Sequence, residues 1–558
     1  MTSLWGGPPG PRGSPRTRPS NTPGRPTRAS GADRGLRPTI AVCLISLLLC
    51  TAAAAQTPVI LISIDTLRAD HLSAYGYRAI STPNIDAFAR QGTLFTDVDS
   101  QIPLTLPSHT TLFTSTYPFQ NGIEENGEVV PAGAVTLASV LQSRGYKTAA
   151  FIGSSLLGRS AGLDRGFDDY DSPFGSSAAT SESPYSTRVR RDGVFVLRAA
   201  TQWLAGHKGQ PVFVFIHLFD LHAPYRLNPT PGSALPELAG YDAEILYVDQ
   251  ILGRFRQTLQ QNGWWQRSLV VLLADHGESL GDHGETSHGY FAYESTLHVP
   301  LMVHWPEGAP AYPAQAGKPA GLIDVAPTIL DALHLPSQPA FEGQSLMKFD
   351  ETPAHAVSSE SVYARNQFHW APLRTLRIGQ WKFIEAPRAE LYDLERDPRE
   401  LSNVMRANSA EVTTLRAELS KLLARYTPAV KEPAPDGSSG TKTALQSLGY
   451  LAGTQRKTGG NDGPDPKDRL PEYRLFEKSL DAFYAHRLDS AIVGLRRILS
   501  QNPANLPARG TLGEAYLSAG KPEAAVREWK AALAIDPAYT PAADALDEYQ
   551  KLRKDTRR

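Results

Sequence analysis

Three polar clusters in the sequence carry residues that could hold a metal ion beside a nucleophile. They are Asp65, directly after Val59–Ile64; Asp220-Leu-His222; and Asp275-His276. Thr105 lies between the first two, in Thr105-Leu-Pro107-Ser-His109. Aspartate and histidine, with His288 as a further candidate, are hard or borderline ligands suited to zinc, calcium, magnesium or manganese. A divalent ion beside a threonine hydroxyl lowers its pKa and supplies an alkoxide that the bare side chain lacks at neutral pH. Any one of these aspartates alone reads as readily as the cap of a helix or turn. Their recurrence at the ends of apolar runs is what points to a single site.

The elements that must position them are legible from pattern. Residues 59–64, 211–219 and 268–274 are continuous apolar, β-rich runs, as expected of parallel strands buried on both faces. Open α/β sheets gather ligands at the carboxyl ends of their strands. Asp65, Asp220 and Asp275 would therefore converge on one sheet edge. A helix at 136–145, closed by Gly145, and a strand at 147–152 continue the alternation. His217, within one strand, reads as a core residue, and His109 either orients Thr105 or packs. Tyr225, Tyr290 and Trp370 are pocket candidates of equal rank.

The chain of 558 residues is too long for one ordinary domain. With 56 basic and 57 acidic residues, its net charge of −1 excludes binding to nucleic acid through a broadly basic surface. Residues 1–38 hold seven arginines and one acid among many Pro, Gly and Ser, a composition that packs no core. The apolar run 40–55, ending in Ala52-Ala-Ala-Ala55, reads as a secretory signal cleaved after Ala55. Its 16 residues fall short of the roughly 20 that a membrane span needs, so an uncleaved anchor is the lesser reading. The two cysteines, Cys43 and Cys50, both lie in this run, so the processed protein would have no disulfide and no thiol chemistry. The expected organisation is a leader and signal at 1–55, a catalytic domain at 56–427, a linker at 428–469 and helical repeats at 470–558. Within the second, residues from about 355 form a smaller α+β unit, with hairpin strands at 375–378 and 381–384 and a helix near 408–425.

Beyond 470, Ala491 and Ala525, Leu495 and Trp529, and Pro503 and Pro537 are each 34 residues apart. That period resembles the tetratricopeptide repeat, which implies a stacked helical array offering a protein partner a surface. An array that only caps the C-terminus is the plainer alternative.

Ile62-Ser-Ile-Asp65-Thr-Leu-Arg-Ala-Asp70, the Thr105 stretch, Ala274-Asp275-His276-Gly277-Glu and Leu391-Tyr-Asp-Leu-Glu-Arg-Asp397-Pro together resemble the alkaline phosphatase superfamily, in its sulfatase-like branch. The resemblance covers about 58–425. It implies an α/β fold with a doubly wound, mostly parallel sheet and a small C-terminal subdomain. Hydrolysis of a sulfate or phosphate ester through a covalent intermediate is the implied activity. Sulfatases begin this motif with Cys or Ser, converted to formylglycine, and follow it with an arginine. Thr105 cannot be so converted, and His109 stands where the arginine would be.

Thr105-x-Pro-x-His, continued by Tyr117-Pro118-x-x-x-Gly122 and Asn126, is similar instead to the nucleotide pyrophosphatase/phosphodiesterase family, whose nucleophile is threonine. This second resemblance implies that Asn126 holds the phosphoryl oxygens. It implies one ion on Asp65, Thr105, Asp275 and His276, and a second on Asp220, His222 and His288. His222 could equally touch the substrate. The expectation is an exported hydrolase of phosphate mono- or diesters with one or two divalent ions, zinc first, acting on a small anionic ester. Sulfate-ester hydrolysis without formylglycine is one alternative, and a silent hydrolase fold that recruits partners through its repeats is another. The membrane would be involved only if the apolar run is retained.

Overall fold

The computed structural model describes residues 56–174, 189–225, 240–347, 356–426 and 463–555. The expected leader and signal, with both cysteines, and linker residues 428–462 lie outside the described residues.

The strands run in order as β1 (Val59–Ile64), β2 (Thr93–Phe95), β3 (Val98–Asp99), β4 (Lys147–Phe151) and β5 (Asp169–Asp171). They continue as β6 (Val212–Leu218), β7 (Leu269–Ala274), β8 (Leu301–His304), β9 (Gln315–Ala316) and β10 (Ala320–Gly321). Eight of them form one sheet in the order β5-β4-β6-β1-β7-β8-β2-β9, while β10 pairs with β3. Neighbours from β5 through β7 are parallel, and β8 lies antiparallel to both β7 and β2. This is the expected mostly parallel α/β sheet. Every residue of β1, β6 and β7 is buried, as their unbroken apolar runs require.

The smaller unit is a four-stranded antiparallel sheet of β11 (Val357–Ser361), β12 (Leu373–Ile378), β13 (Trp381–Glu385) and β14 (Glu390–Asp393). The helix Ser409–Ala424 packs on it through Val412, Leu415 and Leu419. Five helices follow the linker: Pro466–Tyr484, Leu488–Gln501, Leu506–Ser518, Pro522–Ile535 and Thr540–Asp555. The matched positions Ala491, Leu495, Ala525 and Trp529 are all buried between them.

The first of these helices starts at Pro466, within the segment expected as linker. Asp465 caps it by accepting from the Lys467 amide at 2.9 Å, and proline suits the first helical position because its missing N–H has no partner there anyway. Its apolar face, Tyr473, Phe476 and Leu480, joins Tyr290, Phe291, Phe368 and Trp370 in one buried cluster. Burying side chains of the size of Phe476 or Leu480 contributes about 1.5–3 kcal/mol each. The repeat helices are thus fused to the catalytic domain through a common core.

Candidate active site

Parallel register builds the site. Ile64 pairs with Leu218 on one side and with Ala274 on the other, so β1 and β7 end level and release Asp65 and Asp275 side by side. Both carboxylates are fully buried. The Asp65 amide donates to the Leu218 carbonyl at 2.9 Å, and the Asp275 Oδ1 accepts from the Thr66 amide at 3.3 Å. Thr66 itself has φ 58°, a left-handed conformation that a β-branched residue adopts only under constraint. Tyr241 supplies that constraint, donating its hydroxyl to the Thr66 carbonyl at 2.6 Å. Such a backbone costs on the order of 1–3 kcal/mol and is typical of functional sites.

Thr105 opens helix α1 (Thr105–Thr114), after an extended Leu104. Its Oγ donates to Asp65 Oδ2 at 3.2 Å. One turn on, His109 Nδ1 donates to the Thr105 carbonyl at 2.7 Å, while Nε2 accepts from the Ser63 hydroxyl at 2.9 Å. Burial, reinforced by His217, pushes the His109 pKa down to about 3, so the ring is a neutral strut. Ser108 Oγ ties the same helix to the Asp275 carbonyl at 2.7 Å. Asn126 Oδ1 accepts from the Leu106 amide at 2.8 Å, and its Nδ2 is buried without a hydrogen-bond partner among the described residues.

Asp65, Asp275 and His276 form a group whose ligand atoms lie within 4.8 Å of one another. His276 Nδ1 donates to the Gly277 carbonyl at 2.9 Å, which fixes the tautomer with a lone pair on Nε2. Among the described residues, that Nε2, Asp65 Oδ1 and Asp275 Oδ2 all lack hydrogen-bond partners. Three buried, unpartnered acceptors at one point are costly unless a cation satisfies them. Burial and the neighbouring Asp65 charge drive the Asp275 pKa well above the carboxylate range. The donor set therefore fits a divalent ion. Such an ion would supply charge neutralisation and a lowered hydroxyl pKa.

Among the described residues Asp220, His222 and His288 are not part of this group. Asp220 Oδ1 accepts from the Gly193 amide at 3.1 Å. The strand-end pattern places Asp220 at the expected edge, and the amide that its Oδ1 meets is the first of the helix Gly193–Gly206. His222 Nδ1 donates to the Ala223 carbonyl at 2.6 Å, and burial lowers its pKa to about 3. His288 Nδ1 pairs with Glu278 Oε1 at 3.1 Å. Burial alone would lower the His288 pKa, but the Glu278 carboxylate outweighs it and holds the value above the ordinary range. The His288 ring lies 4.4 Å from that of His276 and 5.2 Å from that of His222, centroid to centroid.

Two residues near the site were not assigned to it from sequence. Glu278, fully buried, is one, and follows His276 by two positions. The other role belongs to His217, read as core, whose Nε2 is 3.3 Å from Asp65 Oδ2. Its cross-strand partner Ser63 places it there, a pairing that only the sheet reveals. Of the pocket candidates, Tyr290 and Trp370 belong to the buried aromatic cluster shared with the repeat helices.

The Sulfatase family model matches residues 57–335, half of the chain. The chain belongs to the sulfatase family. In this sulfatase-family protein, residues 281–428 further match the C-terminal model of N-sulphoglucosamine sulphohydrolase, and 482–548 match a tetratricopeptide repeat. It is 22% identical over 410 residues to the ulvan-active sulfatase of Formosa agariphila, covering 65% of this chain and 80% of that one. It is 25% identical to an N-acetylgalactosamine-6-O-sulfatase of Bacteroides thetaiotaomicron, over 65% of this chain and 92% of the relative. The phosphonate monoester hydrolase of Agrobacterium radiobacter shares the fold with a TM-score of 0.54 and 22% identity, covering 67% of this chain and 96% of that one. The sulfatase-family protein is accordingly a hydrolase of sulfuric or phosphoric esters.

Proposed function

We propose that this protein hydrolyses a phosphate mono- or diester through a covalent intermediate on Thr105. The observation that carries the reading is the Thr105 hydroxyl at a helix N-terminus, 3.2 Å from Asp65 within the group formed by Asp65, Asp275 and His276. Those three residues, with Thr105 Oγ, would hold one divalent ion, zinc first among the expected metals.

The chain's own groups do the following. Asp65 Oδ2 orients the Thr105 hydroxyl, and the amides at the start of α1 favour an anion in front of it. Asn126 Nδ2 donates to an ester oxygen as charge gathers there. Thr105 Oγ, its proton already lost to solvent, forms the bond to phosphorus while the bond to the leaving alcohol breaks, and the alcohol oxygen takes a proton from His288. Water then attacks the phospho-threonine, passes one proton to His288 and releases Thr105 as its alkoxide, ready for the next turnover. Glu278 keeps the His288 imidazole charged and aligned. His222 lines the leaving-group side. This assigns His222 and His288 to substrate and proton handling, with a single ion in place of two.

A threonine hydroxyl cannot become formylglycine, which favours release by water at phosphorus. Sulfate-ester hydrolysis is the second reading, favoured by the names of both relatives above. Turnover of nitrophenyl phosphate, bis-nitrophenyl phosphate and nitrophenyl sulfate, wild type against Thr105→Ala, separates them. Phosphoester turnover lost in the variant supports the proposal, and turnover confined to the sulfate overturns it. The apolar run at 40–55 supports export. Among the described residues no helix is long and apolar enough to cross a membrane.

A further inference from the structure

The first repeat helix, α2 (Pro466–Tyr484), lies against the loop that carries His288. The Tyr473 ring stacks on that of Tyr290 at 4.0 Å, with the planes 10° apart. Tyr290 in turn donates its hydroxyl to the Pro466 carbonyl at 2.6 Å. Arg474 Nε donates to the Gly284 carbonyl at 2.6 Å, and Thr286 Oγ to Glu477 Oε2 at 3.2 Å. Gly284 has φ 85°, and a Cβ there would sit 2.3 Å from the Arg474 guanidinium and 2.7 Å from the Leu470 side chain, so the helix's side chains pack directly on the loop.

The other side of this loop faces the chemistry. Glu285, buried, accepts from the Tyr290 and Phe291 amides at 2.8 and 3.2 Å and closes the turn that contains His288. Gly289, at φ 96°, packs so closely on Leu104 that a Cβ would lie 3.1 Å from the Leu104 side chain. Leu104 is the residue before Thr105. Ser361 Oγ donates to the Gly289 carbonyl at 2.5 Å and holds the loop from the small sheet.

We propose that α2 is a positioning element of the active site, with Tyr473 and Arg474 holding loop 281–290 so that His288 stays against His276 and Glu278. Neither residue touches a reacting group; both act through His288. The role given to His288 rests on the hydrolase reading above, whereas the holding of the loop does not. A helix belonging to a repeat array thereby becomes part of what sets the rate, and the catalytic domain without it is an incomplete enzyme.

Amide hydrogen exchange of the full chain tests the holding, and kinetics test its consequence. In Tyr473→Ala and Arg474→Ala the amides of 281–290 exchange faster, while those of β1 and β7 keep wild-type protection. Tyr473→Phe, which retains the stacked ring, exchanges as wild type. With the ester that the wild type turns over fastest, Tyr473→Ala lowers kcat about 10²-fold with KM unchanged, as expected for a misplaced group. Tyr473→Phe restores kcat. Wild-type exchange of the loop in both variants would overturn the proposal, and so would a loosened loop with unchanged kcat. If Tyr473→Ala also exposes β1 and β7, the substitution of the exposed Arg474 decides the matter. Retained turnover in Thr105→Ala would sink the nucleophile assignment alone, since loop exchange is read without turnover.

Discussion

The Thr105 hydroxyl stands 3.2 Å from Asp65 Oδ2, joining the first residue of a helix to the residue that directly follows the central strand. Forty residues separate them in sequence, and the fold closes that gap with both side chains buried. Thr105 has one hydrogen-bonded carboxylate and a helix N-terminus, and that carboxylate belongs to the group of Asp65, Asp275 and His276, which holds three acceptors without hydrogen-bond partners among the described residues. This is an environment that activates a hydroxyl.

The unpartnered atoms of Asp65, Asp275 and His276 predict a bound ion that depends on all three. Asp275→Asn should lower the metal content of the purified protein to below about a tenth of wild type, since loss of one charged ligand from a small site removes most of its affinity. Inductively coupled plasma mass spectrometry gives the content directly. A full complement of metal in the variant would rule this ligand set out.

Asn126 performs two tasks with two atoms. Asn126→Asp keeps the oxygen that accepts from the Leu106 amide and removes the Nδ2 donor. The variant should melt close to wild type, while kcat drops about 10²–10³-fold, the usual cost of one lost oxyanion donor. A melting temperature that collapses, or a kcat that stays, would show that Asn126 serves the helix alone.

Lys382 is buried between Glu294 and Glu400, at 2.7 and 2.9 Å. Burial would raise the Glu294 pKa, but Lys382 and Arg377 bring it down to about 2. A folded-state pKa below the unfolded one adds stability that is present above about pH 4.5 and lost as the pH falls toward 2. Lys382→Met should cost about 3–5 kcal/mol at neutral pH by taking the paired cation from buried Glu400 and leaving Glu294 with Arg377 alone. Part of that loss should disappear in acid, where the carboxylates take up protons. Denaturant unfolding at several pH values checks both statements, and a loss that does not change with pH would contradict them.

Much of this site is legible in the sequence because strand ends are. Apolar runs with no polar alternation announce buried parallel strands, and the next residue must then lie at the sheet's edge. That reasoning finds Asp65 and Asp275. It also finds Asp220, yet cannot show that the carboxylate turns to the Gly193 amide, a contact made 27 residues away. His217 is hidden because its neighbour Ser63 lies across the ladder. Glu278 is hidden because nothing near it in sequence marks it as the partner of His288. The fusion of the repeat helices left a local trace in Tyr473, Phe476 and Leu480, spaced along one helix face. The Pro- and Gly-rich composition before them masked it. What composition describes as a joint, the aromatic face converts into core.

The proposed chemistry requires Thr105 to become covalently modified. The most direct measurement is peptide mass spectrometry of enzyme quenched in acid during turnover of a phosphoester, comparing wild type with Thr105→Ala. One phosphoryl group is expected on the peptide containing Thr105, present only with substrate and absent from the variant, whose turnover falls at least about 10³-fold. An unmodified Thr105 together with full activity in Thr105→Ala would contradict a covalent role for this residue.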